Sequence, residues 1–178
     1  MEYPRIIGLT GKKFCGKDTV ANYFVVHGGY TKIAFADILK DVCKMIFNLT
    51  DKQLNTDEKE IVDERWKVSP RQIMQFVGTD LFRNQLQLLI PFVKEDIWIL
   101  CVKNKLLDTS KKYIISDVRF ENELNMLIEL GGKIINIERM TEFDDKHISE
   151  TLNLYCDYKI DNNGSIDELY IKCNNLFT

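Results

Sequence analysis

Residues 5–20 read Arg5-Ile6-Ile7-Gly8-Leu9-Thr10-Gly11-Lys12-Lys13-Phe14-Cys15-Gly16-Lys17-Asp18-Thr19-Val20, and their order decides the fold. The first six form a short apolar, partly β-branched run, which reads as a buried strand. Gly11-x-x-x-x-Gly16-Lys17 follows. From Lys17 to His27, apolar Val20, Ala21 and Phe24 recur at helical spacing until Gly28-Gly29 stops them. Strand, glycine loop and helix in that order are the setting in which G-x-x-x-x-G-K becomes a phosphate-binding motif. Glycine tolerates torsions that a Cβ forbids, so successive N–H groups can converge on an anion. The positive end of the helix dipole points the same way, and Lys17 adds a mobile ammonium aimed at the β- and γ-phosphates. Residues Gly11 through Thr19 are therefore the candidate cradle for a nucleoside triphosphate. With glycine near ~7% of residues, such a match arises by chance in about a few per cent of chains this long, and the flanking strand and helix cut that further.

Working outward, Lys32–Ala36 is a second strand, followed by a helix through Leu39, Val42, Cys43 and Ile46. Asp51–Arg65 is polar and charged. Ser69-Pro70 then opens a helix whose stripe runs through Ile73, Met74, Val77 and Leu81, with Ser as N-cap and Pro in the first turn. Pro91 ends that region and Asp96–Leu107 is helical again. Tyr113–Ser116 is a third strand, Glu121–Leu130 a helix ending at Gly131-Gly132, Lys133–Ile137 a fourth strand and Asp157–Ile160 a weak fifth. Ser165 and Glu168 form a capping box that opens the last helix. Strands alternating with helices predict an α/β fold with a mostly parallel sheet and helices on both faces.

Composition narrows the function. The 178 residues fit one domain-sized chain, and 24 basic against 27 acidic residues give a net charge of −3. That balance argues against bulk binding of polymeric nucleic acid, which leaves a basic footprint. No apolar run approaches the ~18 residues of a membrane span, and the first residues lack the layout of a signal peptide. Five scattered cysteines without a C-x-x-C pair, beside two histidines, argue against a disulfide framework or a structural zinc site. A reducing, cytoplasmic setting is expected. The Asn-Lys-x-Asp segment of GTPases is absent, and motor or transporter ATPases need more chain. A small kinase with a helical insertion before the third strand fits what is left.

Six segments then become informative together: Gly16-Lys17-Asp18-Thr19, Phe35–Lys40, Ser69–Asp80, Asp96-Ile97-Trp98, Ser116–Glu123 and Asp161–Ser165. In this order, and over nearly the whole chain, they resemble the deoxynucleoside monophosphate kinase family, known from viral enzymes. The resemblance implies the reaction ATP + dNMP → ADP + dNDP with Mg²⁺. It also implies a P-loop kinase sheet of order 2-3-1-4-5 and, for a viral source, the host cytoplasm. The expected organisation is a core of about 1–40 and 108–178, a substrate-binding helical insertion of about 41–107, and a lid of about 139–152. The expected partners are ATP and a dNMP, with no membrane or polymeric nucleic acid; a homodimer is left open. Phosphomevalonate kinases look similar around the loop, and a catalytically silent nucleotide-binding protein is the alternative from another class.

Individual residues follow from position and resemblance. Asp18 stands where a Ser or Thr hydroxyl usually meets Mg²⁺; it is expected near the metal, or as an acidic first-turn residue. Asp117 closes the third strand, where ligands of open α/β sheets bind, and is expected to organise Mg²⁺; the alternative is an N-cap. Arg119 can bridge the donor and acceptor phosphates, or pair with Glu121 or Glu123. Arg71 and Gln75, one helical turn apart, suit the acceptor's phosphate and base. Asp37 and Lys40 are expected to line the acceptor pocket, and Trp98 or Phe76 to stack on its base or serve as core. Arg139 leads into the lid and is expected to stabilise the moving phosphoryl group. His147 and Glu150 are lid or substrate contacts, and the Asn163-Gly164 turn is either near the adenine or only a turn and cap.

Overall fold

In a computed structural model of the chain, residues 3–94, 96–140 and 155–177 are described. The expected lid lies outside these residues apart from Arg139 and Met140, and so do His147 and Glu150. The chain divides into two compact units, one of residues 1–34 and 103–178, the other of residues 35–102.

The first unit holds one parallel sheet: β1 (Ile6–Thr10), β2 (Tyr30–Ile33), β3 (Lys112–Ile115), β4 (Lys133–Glu138) and β5 (Tyr158–Asp161), in the order β2-β3-β1-β4-β5. This is the 2-3-1-4-5 order that the resemblance implied. Alternation along β1 sends its side chains to two different cores. Ile7 and Leu9 pack with Val20 and Phe24 of α1 (Lys17–Gly28) and Leu169 and Cys173 of the last helix (Ile166–Asn174, here α8). On the opposite face, Gly8 leaves room for Leu127 of α7 (Glu121–Glu129), whose Cδ1 would lie 2.8 Å from a Cβ at that position. Helices on both faces of a five-stranded parallel sheet are thus present.

The second strand is not Lys32–Ala36 but Tyr30–Ile33. Gly29, left-handed at φ 69°, caps α1 and returns the chain directly into the sheet, while Phe35 already begins α2 (Phe35–Phe47). The fifth strand starts one residue late because Asp157 is occupied at the head of β4. Its carboxylate accepts from the Ile134 N–H and from Lys133 Nζ, each at 2.9 Å.

The second unit is helical: α2, α3 (Asp51–Asn55), α4 (Pro70–Gln75), α5 (Leu86–Leu89) and the start of α6 (Ile97–Lys105). Cys43, Leu49, Leu54, Ile73 and Val77 form its core. The polar stretch Asp51–Arg65 is more ordered than its composition suggests. Thr50 and Gln53 form a capping box, and the Gln53 side chain also donates to the buried Asp63 at 2.7 Å. The stripe that begins at Ser69 holds through Val77 and then fails. Phe76–Gln85 is π-helical, so each turn takes more residues and the register rotates; Leu81, expected in the core, is 40% exposed. No helix among the described residues is long and apolar enough to cross a membrane.

Candidate active site

Gly11 to Lys17 leave the carboxyl end of β1 and enter α1, so the loop lies at the edge of the sheet where open α/β folds bind ligands. Gly11 (φ 134°) is pressed against β4: a Cβ there would sit 2.3 Å from the Ile137 carbonyl oxygen. Gly16 (φ 104°) is the left-handed N-cap of α1 and carries no side chain to satisfy the first-turn N–H groups. An uncapped, positively polarised helix start is left facing the loop. Phe14, also left-handed at φ 63°, is exposed at the tip. Cys15 is fully buried beneath it; burial raises its thiol pKa and outweighs the lowering pull of the Lys17 ammonium. Packing, not thiolate chemistry, is its part.

Lys17 is folded back across its own loop. Its Nζ donates to the Gly11 carbonyl at 2.5 Å and to the Lys12 carbonyl at 2.7 Å. The ammonium is therefore held by neutral carbonyl acceptors of its own loop, beside the uncapped start of α1. From below, buried Asn162 donates its side-chain amide to the Cys15 carbonyl at 2.8 Å.

Asp18 in the first turn of α1 accepts from Lys32 Nζ of β2 at 2.7 Å, with 81% of the carboxylate side chain exposed. The sequence assigned Lys32 no such part; a lone lysine on an edge strand carries no signal until the sheet sets it beside α1. Asp117 follows β3, which pairs with β1 in the register Gly8 with Ile115, and the next N–H, that of Val118, donates to the Leu9 carbonyl. Asp117 thereby stands beside the entry to the loop. It is not the cap of α7. Phe120 occupies that position, and the buried Glu123 carboxylate accepts from the backbone N–H groups of Arg119 and Phe120 at 2.8 and 3.2 Å. That contact holds the backbone that carries the exposed Arg119. Arg139 follows β4 directly and is exposed.

Among the described residues, no three His, Cys, Asp or Glu side chains gather as a metal site. Magnesium at nucleotide sites takes one or two carboxylates and fills its shell with phosphate oxygens and water. Asp117 and Asp18 are carboxylates of the type that such an ion takes, so their chemistry fits it.

The remaining predicted residues lie in the second unit. Asp37 is in the first turn of α2, and Lys40 Nζ donates to Asn55 Oδ1 at 2.9 Å. Arg71 and Gln75 share one face of α4, and Arg71 Nε is bonded to Glu60 at 2.5 Å. Trp98 is 5% exposed; its indole N–H donates to the Gly78 carbonyl at 3.0 Å and its ring packs on Phe82. So placed, Trp98 supports the π-helical segment, while Phe76 is the exposed aromatic.

Residues 49–173 match the model of a family described as "Deoxynucleotide monophosphate kinase". Over 93% of this chain and 92% of its own length, a "Putative deoxynucleotide monophosphate kinase" of Acanthamoeba polyphaga mimivirus is 38% identical. A deoxynucleotide monophosphate kinase of Enterobacteria phage T4 is 28% identical over 98% of this chain and 72% of its own. Among solved structures, a dephospho-CoA kinase from Campylobacter jejuni covers 97% of this chain and 95% of its own with a TM-score of 0.51 at 18% identity, a likeness of fold.

Proposed function

Since the chain belongs to the deoxynucleotide monophosphate kinase family, we propose that this phosphotransferase moves the γ-phosphoryl group of ATP to a deoxynucleoside monophosphate, releasing ADP and the diphosphate. The observation that carries the donor half is the uncapped start of α1 behind two positive-φ glycines, with Lys17 folded across the loop. In this reading the N–H groups at the start of α1 grip the donor's phosphates, and Lys17 leaves the Gly11 and Lys12 carbonyls to follow the charge. Arg119 and Arg139 neutralise the phosphoryl group as it moves. Asp117 and Asp18 are the residues that would hold magnesium, which would supply charge neutralisation on the polyphosphate. The attacking phosphate oxygen is already ionised, so positioning replaces a general base. Asp37, Lys40, Arg71 and Gln75 are assigned to the acceptor, with Trp98 supporting their scaffold and Glu150 as an acceptor contact. The working partners are small molecules, every loop residue comes from one chain, and the reaction belongs to the cytoplasm, the host's for a virus.

The test is ADP release from ATP and Mg²⁺ across a panel of acceptors: the deoxynucleoside monophosphates, their ribose counterparts, dephospho-CoA and phosphomevalonate. The expected result is turnover with deoxynucleoside monophosphates above every other acceptor. Turnover confined to a non-nucleotide acceptor, or ATP binding without ADP release on any acceptor, would overturn the proposal.

A further inference from the structure

We propose that Asn162 is a positioning residue for the phosphate-binding loop, setting the direction of the Gly16 N–H by holding the carbonyl at the opposite edge of the same peptide. The inference rests on the nucleotide-loop reading above and extends it to a residue 147 positions away in sequence. Asn162 follows β5 and is 7% exposed. Its backbone N–H donates to the Glu138 carbonyl at 2.7 Å, continuing the β4–β5 ladder, so the residue is anchored to the sheet. Its side-chain amide crosses to the Cys15 carbonyl at 2.8 Å, in a buried contact.

A trans peptide is planar, with the carbonyl of one residue and the N–H of the next pointing in opposite directions. Fixing the Cys15 carbonyl toward Asn162 therefore fixes the Gly16 N–H away from it. The absent side chain at Gly16 is what allows this approach: a Cβ there would lie 2.3 Å from Asn162 Nδ2. The glycine of the motif thus serves two ends, a left-handed torsion and space for the amide beneath. Without the amide the peptide can rotate, and the N–H must be reoriented each time an anion binds, which weakens binding of the donor.

Asn162→Ala and Asn162→Ser both keep the backbone bond to Glu138 and remove the reach to Cys15. Steady-state kinetics of each variant, with thermal melting to establish folding, is the experiment. The expected result is a KM for ATP raised about tenfold, roughly what one misdirected hydrogen bond removes, with the KM for the acceptor changed less than about twofold. An unchanged KM for ATP in a folded variant overturns the inference. So does a uniform drop in kcat with both KM values unmoved, which is the mark of a merely structural loss. Should neither variant fold, the parent still decides: a through-bond NMR coupling between the Asn162 amide nitrogen and the Cys15 carbonyl carbon, present in the free protein and retained with Mg²⁺·ATP, supports it, and its absence overturns it. A parent that shows the coupling but neither binds nor turns over ATP refutes the loop reading itself, and the inference falls with it.

Discussion

Replacing Lys17 with Met separates what this lysine does for the fold from what it does for the reaction. In the free protein its ammonium spans two carbonyls of its own loop at 2.5 and 2.7 Å, one part-buried and one exposed. Water can take over much of that role, so the loss in stability is about 1 kcal/mol or less, roughly 2–4 °C in a chain of this size. In the proposed complex with ATP, the same ammonium faces phosphate charge. At about 4 Å and an effective dielectric near 20, one such pair is worth about 4 kcal/mol. Releasing the carbonyls takes back about 1.5 kcal/mol, which leaves roughly 2.5 kcal/mol. At 1.36 kcal/mol per decade that is a fall of about a hundredfold in turnover, in line with the loss of one well-aimed charge-stabilising donor. ADP release measured beside a melting curve reads both quantities on one preparation. Parent-like turnover in a folded Lys17→Met protein would refute the role given to the loop. So would a loss of activity accompanied by global unfolding, because almost none of this side chain's energy belongs to the fold.

Two further outcomes test the second unit, which contains both tryptophans of the chain, Trp66 and Trp98, so that its unfolding is visible by fluorescence. The Arg65 side chain donates twice to buried Asp63, the Arg65 backbone N–H and Gln53 donate as well, and together they hold its carboxyl well below the usual carboxylate range. A folded-state pKa depressed in this way contributes stability that is full above about pH 4 and is lost as pH falls through the lower folded value. The parent's melting temperature should therefore fall steeply below about pH 4, and that of Asp63→Asn should start lower and fall less; parallel curves would remove Asp63 from the account. Trp98→Phe keeps a ring but orphans the Gly78 carbonyl, so stability should drop by about 1–2 kcal/mol with acceptor KM within about twofold; a large change in acceptor KM without loss of stability would restore the ring to the role of a base platform.

How much of this was legible beforehand differs by element. The loop was fully legible, because G-x-x-x-x-G-K between a strand and a helix is local chemistry: torsion, dipole and charge all lie within seven residues, Gly11 to Lys17. Strand order came from the resemblance and not from periodicity, since hydrophobic pattern says which residues are buried but not which strand lies beside which. The stripe through Leu81 misled because π winding changes the residue count per turn, and no pattern in Phe76–Gln85 announces it. Asp63 read as one more charge in a polar stretch. It is buried because Arg65, two residues on, closes back on it and Gln53 reaches it from α3, a pairing invisible in composition.

Taken alone, the amino-acid order determined the glycine loop between a strand and a helix, the alternation of strands and helices, and the position of a carboxylate and an arginine just after the third strand, because each depends on neighbours within one turn or one strand. Only the tertiary structure decided that Lys32 meets Asp18, that Trp98 is held by Gly78, and that Asn162 reaches beneath Cys15. Those contacts join residues 14, 20 and 147 positions apart, and they exist only once the parallel sheet and the packed helices have fixed where each backbone runs.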